Sequence, residues 1–198
     1  MTSSIAHASA APDDSMRIGD ALTRHYLAHG LPPDGGASDP WFRVRIGPVT
    51  LRLPNPPARR RAVLFHDVNH IVTGYNTTFG EGEMTIAGFE VGAGCGRFGI
   101  AWYINLSMLA LGVLTSPRAA FAAFVRGRRS ASIYHGHRDP AALAAMTVAE
   151  VRTLLRLDSV RATAKSLDRA QFAAWSVVGL GVLIAPLVVI VTLLLLSS

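Results

Sequence analysis

Residues 62–90, AVLFHDVNHIVTGYNTTFGEGEMTIAGFE, set His66, Asp67 and His70 inside little more than one helical turn. After a short break they add Glu81, Glu83 and Glu90. On a helix the i, i+4 pair His66 and His70 shares one face, with Asp67 at its edge. Two neutral imidazoles and a carboxylate suit a borderline divalent ion, zinc foremost, and a second carboxylate completes four ligands. A lone histidine on a helix is usually a surface or packing residue. The pair, with its adjacent aspartate and the carboxylates that follow, favours a metal or catalytic site.

The surrounding residues predict two helices. Asn55-Pro56-Pro57 is a start signal, with Asn55 able to cap and proline tolerated in the first turn. Gly74 is placed to stop the helix, which is expected over 58–73. Leu64, Val68, Ile71 and Val72 form its apolar stripe, so His66 and His70 face a cleft, a second layer or solvent. A second helix is expected from Thr78, where Thr78 and Glu81 fit a capping box. Glu81 then has a structural role and Glu83 has none, which makes Glu83 the candidate fourth ligand. Glu90 follows on the same face and reads as a solvated group or a hydrogen-bonded one behind the site.

The order His66-Asp67-Val68-Asn69-His70, then Thr73-Gly74-Tyr75, then Gly82-Glu83 with Phe89 beyond, resembles the coenzyme Q (ubiquinone) biosynthesis protein 4 family. The resemblance is close over residues 62–90 and loose across the middle of the chain. Twelve residues separate His70 from Glu83 and ten separate it from Glu81, and the family's spacing falls between the two. The interval from Glu83 to Phe89 matches the family and favours Glu83 over Glu81 as the fourth ligand. The resemblance implies a metal held by His66, Asp67, His70 and Glu83, with His66 and Asp67 at the catalytic centre. It also implies action on polyprenylated aromatic quinone precursors, removing the ring carboxyl group and putting oxygen in its place. Membrane lipid and other quinone-biosynthesis proteins are the implied partners. Two other classes stay open: a non-catalytic isoprenoid-lipid-binding scaffold with a structural metal, and a metal-dependent hydrolase or oxygenase. A di-iron membrane oxygenase calls for more histidine boxes and more membrane spans.

Composition points to a membrane. Half of the 198 residues are hydrophobic and only 16% are charged, against roughly 25% in soluble domains. Mean hydropathy is +0.32. Net charge is +6, and the basic residues are not interleaved with aromatics as a nucleic-acid surface requires. Anionic lipid head groups account for the charge. The single cysteine, Cys95, allows no internal disulfide and has no neighbouring His or Lys to activate it.

Taken in order, 1–17 reads as a disordered tail without the pattern of a signal peptide. A short amphipathic helix follows over 18–30, whose His25 and His29 read as packing or surface residues. Alternating apolar residues over 41–53 read as a β-hairpin turning at Gly47-Pro48, with arginines outward. The glycine run at 92–99 reads as a linker that lets helices pack closely, or as a hinge. Residues 98–115 are apolar, but basic clusters lie on both sides, so they read as a buried helix or one at the bilayer surface. Residues 116–129 read as an interfacial segment bearing Phe121 and Phe124. His135 and His137 read as a surface loop, and Thr147 with Glu150 as a capping box. Residues 175–196 carry no charge and suffice to cross a hydrocarbon core of roughly 30 Å. Arg161, Lys165 and Arg169 precede them, which predicts a single-pass anchor with the N-terminal domain on the cytoplasmic face. The expectation is a mainly α fold: a metal-binding helical domain over 18–172 with a small N-terminal β-hairpin, and a separable C-terminal transmembrane helix over 173–197.

Overall fold

The computed structural model describes residues 13–46, 49–78, 81–136, 139–157 and 163–197. It is mainly helical, with one two-stranded hairpin near the N-terminus and a long apolar helix at the C-terminus. Eight helices and two strands are described: α1 Ile18–Ala28, β1 Trp41–Ile46, β2 Val49–Pro54, α2 Pro57–Thr73, α3 Gly82–Ala93, α4 Gly99–Thr115, α5 Pro117–Arg129, α6 Pro140–Ala145, α7 Val148–Leu154 and α8 Ser166–Leu196.

The strands pair antiparallel with Phe42 opposite Leu53 and Arg43 opposite Arg52. Gly47-Pro48, His137 and Arg161 lie outside the described residues, as does 1–12 of the expected tail. Residues 13–17 are tied down: Val148 N donates to Met16 O at 2.9 Å, and Arg17 bridges Thr147. The Thr147–Glu150 capping box forms as expected.

The two motif helices start differently from the sequence reading. Pro56 stands at the N-cap of α2 without a side-chain bond, while the Asn55 amide donates instead to the Gly36 and Asp39 carbonyls. Asn55 holds the preceding loop and not the helix. At the other end Gly74 stops α2 with φ of 76°, a backbone state that costs glycine nothing. The second helix starts at Gly82 instead of Thr78, and no side-chain bond caps it. Thr78 Oγ1 bonds Asn76 Oδ1, so the Thr78–Glu81 box does not form.

α3 lies between α2, α4 and α5. A Cβ on Gly92 would stand 2.2 Å from the Phe124 carbonyl oxygen, and one on Gly127 would stand 2.0 Å from that of Phe89. Backbone meets backbone across α3 and α5, which only glycine permits. Phe124 is buried in this contact and Phe121 packs on Phe172, so α5 is a core helix and not an interfacial one. α4 buries Ala101, Asn105, Leu106 and Leu109, the core role foreseen as one of its two options.

α8 begins before the uncharged run. Asp168 is buried in its first turn, where Arg128 Nε and Arg129 bind it at 2.8 and 2.6 Å. Trp175 stacks on Trp102 with ring centroids 4.9 Å apart, and Gly179 lets α8 close onto the Leu106 carbonyl. The boundary drawn at 173 therefore falls inside a continuous helix whose first half belongs to the core. Beyond Pro186 the helix is exposed, from Leu187 at 62% to Leu196 at 80%. Among the described residues this is the one helix long and apolar enough to cross a membrane, and just 6% of its most apolar window is buried. A core helix of a soluble protein would be mostly buried.

Candidate metal centre

α2 and α3 bring His66 and His70 against Glu83 and Glu90. The histidine face therefore looks into a second helical layer, and His70 is 3% exposed. The two Nε2 atoms are 3.1 Å apart. Glu83 Oε2 lies 3.1 Å from His66 Nε2, and Glu83 Oε1 lies 3.5 Å from His70 Nε2. One ligand atom from each of His66, His70 and Glu83 falls within 4.8 Å of the other two.

The opposite edge of each ring decides its tautomer. His70 Nδ1 is 3.0 Å from the Tyr75 carbonyl, which can only accept, so Nδ1 carries the hydrogen. His66 Nδ1 is 3.2 Å from Glu90 Oε1. Glu90 is 1% exposed and collects donors on both oxygens. Asn69 Nδ2 donates at 2.7 Å to Oε1, while Asn105 Nδ2 at 2.5 Å and Tyr134 OH at 2.9 Å donate to Oε2. Burial alone would raise this carboxyl; the His66 charge and these hydrogen bonds outweigh it and hold it below the usual range. An ionised Glu90 accepts only, so His66 also carries its hydrogen on Nδ1.

Both Nε2 lone pairs then converge with the Glu83 carboxylate, and three acceptors need a shared cation. Either a proton or a metal ion meets that need. With a proton, burial is overcome by Glu90 and Glu83, and His66 rises well above its ordinary pKa. Glu83 is itself pushed up by burial but drawn down further by both imidazoles, to about 2. With a divalent ion, two imidazoles and one carboxylate form a three-ligand set that leaves further positions for water or substrate.

The other expected residues are placed differently. Asp67 is held by the Tyr26 hydroxyl at 2.8 Å and is not among the converging side chains. Burial raises its carboxyl. Glu81 is exposed, and its backbone carbonyl accepts from Thr85 Oγ1. His25 stacks on His70 with centroids 6.4 Å apart and planes at 19°, so it belongs to the surroundings of the site. Burial, then the neighbouring His29 and His70, lower His25 to about 4 and keep it neutral at pH 7. Cys95 is buried and its thiol pushed up, so it is no nucleophile.

Sequence reasoning missed Asn69, Asn105 and Tyr134 as partners of Glu90. The available signal was a single amide, Asn105, inside an otherwise apolar helix. Both amides turn their NH2 groups toward Glu90 and leave Asn69 Oδ1 and Asn105 Oδ1 buried without a partner. Holding the carboxylate takes precedence over satisfying the amides. Comparison with family models, curated proteins and solved structures returns no match.

Proposed function

We propose that this protein is a membrane-associated metalloprotein in which His66, His70 and Glu83 hold a divalent ion, zinc by ligand type. The observation that carries the reading is the convergence of two Nε2 lone pairs, each fixed by a partner on Nδ1, upon one carboxylate. A histidine whose far nitrogen donates to a carboxylate or a backbone carbonyl is the usual arrangement around a bound metal.

The reaction we propose is that implied by the coenzyme Q biosynthesis protein 4 resemblance: loss of the carboxyl group from a polyprenylated aromatic acid and its replacement by a hydroxyl. That change releases carbon dioxide and two electrons, so an acceptor such as dioxygen is a required co-reactant. An ion held by His66, His70 and Glu83 would supply Lewis acidity toward the substrate carboxylate. The chain's own residues hold the arrangement. Glu90 fixes the proton on His66 Nδ1, the Tyr75 carbonyl fixes that on His70 Nδ1, and Tyr26 holds Asp67 beside them. The apolar α8 and the basic residues before it support a seat at the cytoplasmic face of a membrane.

The test is incubation of purified protein, with and without zinc, with a prenylated hydroxybenzoic acid in lipid micelles under air. Mass spectrometry should find the hydroxylated, decarboxylated ring with the wild type and not with His70→Ala. Stoichiometric metal without any turnover would favour the scaffold role instead.

A further inference from the structure

The directions of α1, α2, α3, α4 and α8 place the His66–His70–Glu83 group at one end of the molecule. His25 stacks on His70 and His29 Nε2 meets Thr77 Oγ1 at 2.7 Å, so α1 runs alongside α2 and both finish together. Thr115 Oγ1 bonds Met84 Sδ at 3.1 Å, so the end of α4 sits beside the start of α3, next to Glu83. Trp102 meets Trp175, and Leu106 and Ala110 meet Gly179, so α8 runs parallel to α4 and passes beyond its end. The exposed last part of α8 thus projects from the end of the body where His70 and Glu83 lie.

That end is ringed by exposed leucines. Leu27 is 58% exposed, Leu31 is 45% exposed and Leu114 is 65% exposed. Arg118, at the α4–α5 turn, is exposed and pairs with no carboxylate among the described residues. The hairpin, with Arg43 and Arg52, leads into the start of α2, the end of that helix away from His70.

We propose that this end is a bilayer-docking face, with Leu27, Leu31 and Leu114 in the interface and the metal group opening at head-group depth. It rests on the membrane reading of α8 above. Lipid is the occupant because Leu187, Val188, Val189, Val191 and Leu193 to Leu196 are all exposed around α8, which one partner surface cannot cover and hydrocarbon can. Its residues 187–196 extend about 15 Å at 1.5 Å per residue, far enough to enter the hydrocarbon of the near leaflet. Arg118 then reaches lipid phosphate, as basic side chains at an interface do. Polar loop residues Asn76 and Glu81 stay among the head groups.

The test uses the full chain with single cysteines replacing Leu27, Leu114, Leu187 or Arg52, each nitroxide-labelled; Cys95 is buried out of reach. All four positions are exposed, so the fold tolerates the change. In phosphatidylcholine–phosphatidylglycerol vesicles, spin relaxation is compared between oxygen and a water-soluble nickel chelate. Labels at 27 and 114 should be several-fold less accessible to the chelate than the label at 52, and 187 should favour oxygen. If 27 and 114 are as open to the chelate as 52 while 187 is in hydrocarbon, the docking face is wrong and the membrane helix stands. An aqueous 187 in vesicles removes the membrane reading itself. Shielding of 27 and 114 without vesicles, together with a doubled mass, would give the face to a second copy and overturn the proposal.

Discussion

Glu90 Oε1 lies 3.2 Å from His66 Nδ1, and that contact decides which nitrogen of His66 is left for a ligand. Glu90 can hold the proton there because three further donors keep it ionised in a buried place. The His66–His70–Glu83 group is thus set from behind, by Glu90 and the three side chains that bond it.

Loss of this support should weaken metal binding without abolishing it. Glu90→Gln is expected to lower zinc affinity by about 10–100-fold, the usual effect of removing a partner behind a ligand. Asn105→Leu leaves one oxygen of Glu90 short of a donor, at a cost of about 1–3 kcal/mol in stability. Competitive zinc titration and thermal melts would check both. Unchanged affinity in Glu90→Gln would mean that His66 needs no such holder.

The pH dependence of the metal-free protein has two limbs. Glu83 falls from 4.5 to about 2 on folding, so its contribution is present above pH 4.5 and lost as pH falls toward 2. His66 is raised above 6.5, so its contribution is full below that pH and lost as pH rises past the raised value. The melting temperature of chelator-treated protein should decline on both sides. Zinc should restore the alkaline side, where the ion replaces the proton. Glu83→Gln should reduce the acid limb, to which Glu90 and Asp168 also contribute, and an acid limb unchanged in that variant would contradict the assignment.

Packing of α3 on α5 predicts a contrast between two glycines. Gly92→Ala drives a methyl group to 2.2 Å from the Phe124 oxygen, and overpacking of this kind costs about 1–3 kcal/mol. A Cβ on Gly99 meets nothing within 4 Å, so Gly99→Ala should lose no stability. Equal urea midpoints for the two variants would show that the helices are not in backbone contact.

Truncation separates the two halves of α8. Removing residues 187–198 leaves the Trp102–Trp175 stack and the Gly179 contact in place, and the protein should remain folded by circular dichroism. Removing everything from 173 uncovers Trp102 and Leu106 and should give aggregation. A folded, monomeric product from the longer deletion would show that the first half of α8 is dispensable.

Much of this was legible in the sequence because it rests on spacing. The i, i+4 histidines, the stop at Gly74, the hairpin alternation and the uncharged C-terminal run are local patterns. The choice of Glu83 over Glu81 was reached from the interval to Phe89, and the structure does bring Glu83 to the histidines. The assigned cap did not form, because Asn76 takes the Thr78 hydroxyl. Asp67 could not be placed from sequence, since its position depends on Tyr26, far earlier in the chain. Asn105, Tyr134 and His25 were hidden for the same reason: each reaches the site by tertiary packing. The division of α8 was equally invisible, because apolar residues serve a core and a membrane alike.

The most direct test of the account is metal content, measured by plasma mass spectrometry on protein equilibrated with zinc and then desalted. Wild type, Glu81→Gln, Glu83→Gln and His70→Ala would be compared, each shown to be folded by circular dichroism. The account predicts stoichiometric zinc in the wild type and in Glu81→Gln. Affinity should fall in Glu83→Gln by more than the 10–100-fold expected for Glu90→Gln, and His70→Ala should lose the ion. Full zinc retention in His70→Ala, or none in the wild type, would contradict the metal centre outright.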